Sequence, residues 1–240
     1  MFFIISRYKV NNLKNSYTLV IGMDFGNMIG DSFAYAKDAV VGKWMQWLLL
    51  VIATILLCLP LAGYTLKVFR GEKPAPEVTD WGTLFIDGIK YLIVSLIWAI
   101  PTLIVFFVTI GAGILATVGQ NPSEVMGAIM GMLFGFIVVA IIGILTMIFA
   151  TIGIIRFART GSMGEAFNFK EITATIGKIG WGPYIIALVV MIVVIVVIEI
   201  ILSILGMIPI IGFIINIIFI APVMLFEARY LCQVYDSAGA

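Results

Sequence analysis

Long apolar runs alternate with short polar stretches along the chain. Five apolar segments stand out, covering residues 44–64, 91–118, 126–155, 184–205 and 210–226. A helix rises ~1.5 Å per residue and a bilayer core is ~30 Å thick, so most of these runs are long enough to cross a membrane. The pattern predicts an all-α, polytopic helical membrane protein, because lipid demands that backbone groups be satisfied within the segment or in a closed barrel.

Three shorter stretches are amphipathic and each lies beside an apolar segment. They cover about residues 24–40, 78–90 and 164–180, and their apolar side chains recur at helical spacing opposite charged ones. In the first stretch, one helix face carries Phe25, Met28 and Phe33, and the opposite side carries most of the charge, including Asp31 and Asp38. We therefore predict three interfacial helices, which would lie along the membrane surface.

The composition fits a membrane protein and excludes several kinds of chemistry. Hydrophobic residues make up 62% of the 240 residues and charged residues 11%, against roughly 45–50% and 25% in soluble domains. The net charge of +1 and the lack of a clustered basic face argue against a nucleic-acid partner. Histidine is absent and the cysteines, Cys58 and Cys232, are isolated. The sequence thus predicts no metal site, no cofactor and no identifiable catalytic residue.

Positive charges give a prediction of topology. The 14 basic residues fall in residues 1–43, 67–90 and 156–178, apart from Arg229 in the tail. If the segment 44–64 re-enters at Pro60 and Gly63, all of them lie on one side, as the positive-inside rule prefers. We therefore predict four spanning helices plus a re-entrant or fifth spanning N-terminal segment. Both termini and the basic loops would be cytoplasmic, and the loop Gly119–Glu124 would lie outside.

The N-terminal residues differ from the rest of the chain. Residues 1–22 are polar and do not form a signal peptide, because Arg7, Lys9 and Lys14 follow a short apolar run. We interpret residues 1–22 as an N-terminal extension and residues 23–240 as a single helical membrane domain. Met23 resembles a natural chain start, and a genuine N-terminal arm is the alternative.

Two blocks of sequence resemble a known family. The first is Gly63-Tyr64-x-Leu66-Lys67-Val68-x-Arg70-Gly71, followed by Pro76-Glu77 and Asp80-Trp81-Gly82-x-Leu84-Phe85-x-Asp87-Gly88-x-Lys90. The second is Ile208-Pro209-Ile210-Ile211-Gly212-Phe213 with Ala221-Pro222. Together they resemble a prokaryotic, largely archaeal membrane family known as domain of unknown function 4013, over about residues 23–235. Family members often have Asn after the proline of the first segment, where this chain has Leu61. The resemblance implies a helical membrane protein and no established activity.

Glu199 is the ionisable residue deepest inside an apolar segment. Isoleucines and valines surround it, and the spanning segments contain no lysine or arginine to pair with it. Intramembrane carboxylates are costly and therefore functional candidates. We predict that Glu199 is shielded from lipid and hydrogen-bonded to Asn216, which lies at a similar depth if both are counted from the Gly206 turn. The simpler interpretation is interhelical packing, and a proton or cation site is the alternative.

Two further sets of residues are candidates for binding. Gly127, Gly131 and Gly135 repeat at a spacing that allows helices to approach closely, either within one chain or between copies of a homo-oligomer. Four residues at the predicted membrane surface are candidates for contact with a lipid head group or, more simply, for anchoring: Asp80, Trp81, Asp87 and Lys90. The partners predicted from the sequence are thus membrane lipids and a second copy of the chain.

These observations favour a non-enzymatic membrane scaffold or accessory subunit. A pore or transporter component that uses Glu199 is the first alternative, although transporters usually carry more polar residues at mid-membrane. A lipid-modifying enzyme is the second, with Asp80, Asp87, Glu165 or Glu171 as its acids. A cavity that reaches Glu199 would favour transport, converging acids would favour the enzyme, and a dry bundle would favour the scaffold.

Overall fold

The last four apolar segments each form most of a continuous helix. The computed structural model describes residues 23–117, 122–208 and 210–239, and within these ranges it contains helices and no strand. Residues 1–22 lie outside them, as does part of the predicted outer loop. Besides a 3-10 helix at Met163–Phe167, the α-helices in these ranges are α1 Phe25–Val40, α2 Trp44–Ile55, α3 Leu59–Phe69, α4 Trp81–Thr117, α5 Pro122–Thr160, α6 Phe169–Ile179, α7 Trp181–Gly206 and α8 Ile211–Asp236.

Four of these helices, α4, α5, α7 and α8, are long and apolar enough to cross a membrane. The predicted all-α, polytopic membrane fold is therefore confirmed. At ~1.5 Å per residue, α4 with 37 residues and α5 with 39 residues are each longer than about 50 Å, well beyond a ~30 Å core. Their surplus length packs against other helices at one end of the molecule.

The molecule has a packed end and an apolar, exposed end. At the packed end, here called the base, α1, α3 and α6 cover the first turns of α4 and α7 and the last turns of α5 and α8. Its largest fully buried side chains include Tyr64, Leu84, Ile155, Ile176 and Tyr230. At the other end, the outer parts of the four long helices expose large apolar side chains such as Phe107 and Phe134. The base has a core like that of a soluble domain, whereas the outer parts have the surface expected for contact with lipid.

The predicted interfacial helices are partly right. α1 forms over nearly the predicted residues, whereas α6 begins only at Phe169 and the preceding part of the predicted stretch is the 3-10 helix. Asp24 and Asn168 cap the two α-helices by accepting backbone N–H bonds from Asn27 and Glu171. The separate helix predicted at about 78–90 is wrong, because residues 78–80 precede the helix and residues 81–90 are the first turns of α4. Nothing between residues 81 and 100 interrupts the backbone, so the amphipathic and apolar stretches join into one helix.

The first apolar segment enters the molecule and returns. α2 has 12 residues, about 18 Å, and ends where Leu57 and Cys58 adopt positive φ angles of 57° and 58°. The Nζ atom of Lys73, after α3, lies 3.2 Å from a carboxylate oxygen of Asp31 in α1. This contact brings the chain back to the end from which it started, as a re-entrant hairpin does. α1 and α2 are together apolar enough for a span but bend by 98°.

The break in this segment does not lie where the sequence predicts it. Pro60 sits in the first turn of α3, where a missing N–H costs nothing, and so it starts the helix rather than breaking it. Gly63 lies inside α3, and a Cβ atom there would come within 3.0 Å of the backbone carbonyl of Leu84. Gly63 therefore serves the close packing of α3 against α4.

Trp47 ties the re-entrant hairpin to α8. Pro222 lies inside α8 and has no N–H, so the carbonyl of Ile218, four residues earlier, lacks its helical donor. The indole N–H of Trp47 donates to that carbonyl at 3.2 Å, and its ring packs edge-on against Phe219. One tryptophan thus satisfies the backbone group that the proline leaves unpaired.

We expect Trp47→Phe to lower the free energy of unfolding by roughly 1–3 kcal/mol through the unsatisfied carbonyl. In a Pro222→Ala background, where residue 222 regains its N–H, the same substitution should cost clearly less. A double-mutant cycle of denaturant unfolding in detergent measures this coupling. Equal costs in both backgrounds would show that the Trp47 hydrogen bond contributes nothing beyond packing.

Candidate functional site

The polar contacts of the base centre on arginines, of which Arg229 is buried. Arg229 of α8 is 6% exposed, donates from Nε to Asp31 at 2.8 Å and lies over the ring of Tyr35. Lys73 contacts the same carboxylate. Partial burial acts to raise the pKa of Asp31, but the hydrogen bonds from Arg229 and Lys73 outweigh it and hold the pKa below its usual value. Asp31 therefore joins α1 to α8 and to the connection after α3.

A second arginine joins three helices. Arg159, at the end of α5, donates from Nε to the carbonyl oxygen of Phe69 at 2.6 Å. Its terminal nitrogen lies 2.6 Å from a carboxylate oxygen of Asp236 and 3.1 Å from the Cys232 sulfur. The guanidinium also packs on Gly71, where the backbone φ of +90° favours glycine. Arg159 thus caps the C-terminus of α3 and holds it against α5 and α8.

The four head-group candidates do not form one cluster. The buried carboxylate of Asp87 pairs with Arg70 at 2.6 Å and with Lys90 at 3.7 Å. Asp80 instead starts α4 by accepting from the backbone N–H and the hydroxyl of Thr83, and these bonds lower its pKa. The ring of Trp81 packs against the core of the base. Their contact with lipid head groups stays a prediction, and Asp87 offers little of its carboxylate for it.

The acids named for an enzyme are likewise separate. Glu165 of the 3-10 helix pairs with Arg156 and accepts from the side chain of Asn168 at 3.1 Å. The hydrogen bond from Arg156 lowers the pKa of Glu165. Glu171 follows in the first turn of α6. In the described ranges, no three His, Cys, Asp or Glu side chains group as ligands for a metal ion.

The predicted hydrogen bond between Glu199 and Asn216 is wrong. Glu199 is exposed on the surface of α7, and the Asn216 side chain donates to the carbonyl of Gly212 at 2.8 Å. A Cβ atom on Gly206 would lie 3.0 Å from the Asn216 amide nitrogen. Asn216 therefore sits beside Gly206, seven residues and about 10 Å along α7 from Glu199. Counting residues from the turn fails because α7 and α8 are offset along their axes, so residues equally far from the turn do not lie side by side.

The glycine repeat divides into two parts. A Cβ atom on Gly135 would collide with the side chain of Thr109, so Gly135 packs α5 against α4 within the chain. Around Gly127 and Gly131, no atom of the described residues, apart from the helix's own nearby backbone, lies within 4 Å of such a Cβ. These two positions leave a small-residue surface open to the surroundings.

Sequence reasoning missed the arginine contacts of the base. Arg229 follows an apolar segment and resembles part of a solvated tail, while Asp31 resembles the polar face of an interfacial helix. Their pairing depends on α1 lying along α8, which no local pattern indicates. The one available signal is the amphipathic pattern of residues 25–40, which requires a partner for its apolar face.

Comparison with known proteins agrees with the resemblance seen in the sequence. A family model described as protein of unknown function (DUF4013) matches residues 47–207, which is more than half of the chain. The match is shorter at both ends than the resemblance over residues 23–235. No curated protein and no solved structure matches the chain. The chain, an integral membrane protein by its fold, belongs to this DUF4013 family.

Proposed function

We propose that this protein is a non-enzymatic membrane scaffold or accessory subunit that assembles with a second copy of itself. The observation that carries the proposal is the open glycine surface at Gly127 and Gly131. It lies on α5, and only 6% of the apolar stretch of this helix is buried within the chain. Helices in lipid associate where small residues allow close approach, because the hydrophobic effect offers no gain between them. A second copy is the partner whose matching surface is certain to be present.

The acids of the base support a structural rather than a catalytic role. Asp31, Asp87, Glu165 and Asp236 each pair with an arginine on a different element. A general acid or base needs a tuned pKa and access to a substrate, and these carboxylates serve to join helices instead. The base is a packed platform from which the outer helices extend.

Substitution of Gly131 by isoleucine tests the assembly. The bulky side chain would hold the two helices apart, so we expect association to weaken by at least tenfold. Gly111→Ile is the matched control, because Gly111 is also a helical glycine whose Cβ position has no neighbour within 4 Å among the described residues outside its own helix backbone. Energy transfer between labelled copies in vesicles measures association. A monomeric wild-type protein, or equal loss in both variants, would contradict the proposal.

The proposed orientation in the cell membrane places both termini and the two basic loops in the cytoplasm. Lys73, Arg159 and Arg229 all lie in the base, which supports a single basic side. In a variant without Cys58 and Cys232, a cysteine at Gln120 should react with an impermeant reagent added outside cells, and one at Lys73 should not. The reverse pattern would overturn the orientation, and labelling of both would require another topology.

A pore subunit is the second candidate, and the exposure of Glu199 favours it. Ionisable side chains in membranes usually face a protein interior or a water-filled cavity, so an exposed Glu199 suggests cover from another copy. If the role is structural, Glu199→Gln should assemble normally with no change in ion flux across proteoliposomes. Loss of a measurable wild-type flux with assembly intact would favour the pore.

A further inference from the structure

A cavity of about 220 Å³ lies where α3, α4, α5 and α8 meet. Four oxygen-bearing side chains line it, namely Thr65, Tyr91, Thr151 and Glu227, and most of its remaining lining is apolar, including Met147 and Met224. Its volume is below the ~300–1,000 Å³ typical of drug-sized ligands but exceeds that of a single water at ~30 Å³. The cavity therefore suits a ligand of a few non-hydrogen atoms.

The two threonines present hydrogen-bond acceptors to this cavity. The Thr65 hydroxyl donates to the carbonyl of Leu61 at 2.9 Å, and the Thr151 hydroxyl donates to that of Met147 at 2.8 Å. A hydroxyl has one proton and two lone pairs, so these bonds consume the only proton of each. What remains for a ligand is the lone pairs, which accept hydrogen bonds and do not donate them.

Glu227 adds a carboxylate without a cation. Among the described residues, no lysine or arginine lines the cavity, and no ion pair or hydrogen bond engages the Glu227 side chain. Among the described residues, the four arginines each pair with an acid other than Glu227. A half-buried carboxylate beside other acceptors is costly when ionised unless a positive group joins it.

We propose that this cavity binds a small primary ammonium ion, with Glu227 as its counter-ion and Thr65 and Thr151 as acceptors. The three N–H donors of such an ion match the three acceptor side chains, and its alkyl part matches the methionine-lined wall. A hard divalent cation such as Ca²⁺ fits poorly, because it takes about six to eight oxygen ligands and only four side chains here carry oxygen. The site is independent of the proposed assembly surface, which lies on the outer part of α5.

Thermal unfolding of the purified full-length protein in detergent, with n-butylammonium chloride as the probe, tests the proposal. We expect a saturable rise in Tm that sodium chloride at the same ionic strength and n-butanol do not reproduce. Glu227→Gln should weaken binding, so that the half-saturating concentration of n-butylammonium rises at least tenfold. Glu77→Gln, which removes an exposed carboxylate outside the cavity, is the matched control and should bind as the wild type does.

Thr151→Val supplies a second variant that keeps the shape of the side chain and removes one acceptor. We expect it to weaken binding by about tenfold, the equivalent of ~1.4 kcal/mol. Three results would overturn the proposal. The first is an unchanged response to n-butylammonium in Glu227→Gln. The second is an equal response to n-butanol, which would indicate an apolar cavity alone, and the third is an equal saturable response to sodium. Failure of assembly in the Gly131 experiment leaves these outcomes unaffected.

Discussion

Asp31→Asn is expected to lower the free energy of unfolding by about 2–4 kcal/mol. Removing one partner of a buried ion pair leaves an uncompensated charge at a cost of roughly 3–5 kcal/mol, and the 40% exposure of the Asp31 side chain reduces that figure. Arg229, whose side chain is 8% exposed, would lose its negative partner and keep only a neutral amide oxygen and the Tyr35 ring beside it. Unfolding in mixed micelles, followed by tryptophan fluorescence, measures the change.

Lys73→Met is the matched control because it removes the other cation from the same carboxylate. The side chains of Lys73 and Asp31 are 49% and 40% exposed, so we expect a change within about 1 kcal/mol. The double variant Asp31→Asn with Arg229→Met should recover stability relative to Asp31→Asn alone, since it removes the stranded charge. Equal losses from Asp31→Asn and Lys73→Met would refute the view that burial of Arg229 sets the effect.

Gly88→Ala is expected to destabilise the base by about 3 kcal/mol, at the upper end of ordinary overpacking. A Cβ atom at Gly88 would lie within 3.0 Å of the carbonyl of Leu59, just as one at Gly63 would meet that of Leu84. Both obstacles are backbone atoms, so α3 and α4 would have to separate rather than repack side chains. The expected result is a lower midpoint of unfolding, with loss of the Arg70–Asp87 pair that spans the same contact.

Gly111→Ala provides the comparison within the same helix. Its Cβ position has no neighbour within 4 Å among the described residues beyond its own helix backbone, so the substitution should change stability by less than about 1 kcal/mol, with alanine the better helix former. The same denaturant series measures both variants. If Gly88→Ala were as harmless as Gly111→Ala, the close approach of α3 to α4 would not exist in the membrane.

Helix positions in the long apolar runs follow directly from the sequence. Residues 184–205 contain one charged residue and no proline or glycine, and a single segment this apolar satisfies its own backbone groups in lipid only as a helix. The same reasoning misplaced the break near Pro60, because proline at a helix start and proline inside a helix look alike in sequence. Pro222 shows the second case, and the carbonyl of Ile218 that it leaves unpaired accepts from Trp47, 171 residues away.

The candidate site was less predictable because it depends on contacts between distant elements. Glu199 stood out by its apolar neighbours, yet whether it faces lipid or protein is set by the offset between α7 and α8 at Gly206 and Gly212. Glu227 carried no signal, since it opens a polar stretch that resembles a solvated tail. Only the packing of α3, α4 and α5 around α8 turns that position into a cavity wall.

The pairing of α1 with α8 also fixes an order of events during synthesis. Arg229 lies 198 residues after Asp31, and the Gln233 side chain that bonds Met28 and Ser32 comes later still. At roughly 5–20 residues per second, translation takes about 10–40 s to produce the partner of α1. During that time the apolar face of α1 has no protein to cover it and must rest on the membrane surface. The base therefore closes last, and a ribosome stalled before α8 would leave the nascent chain with its first helix undocked.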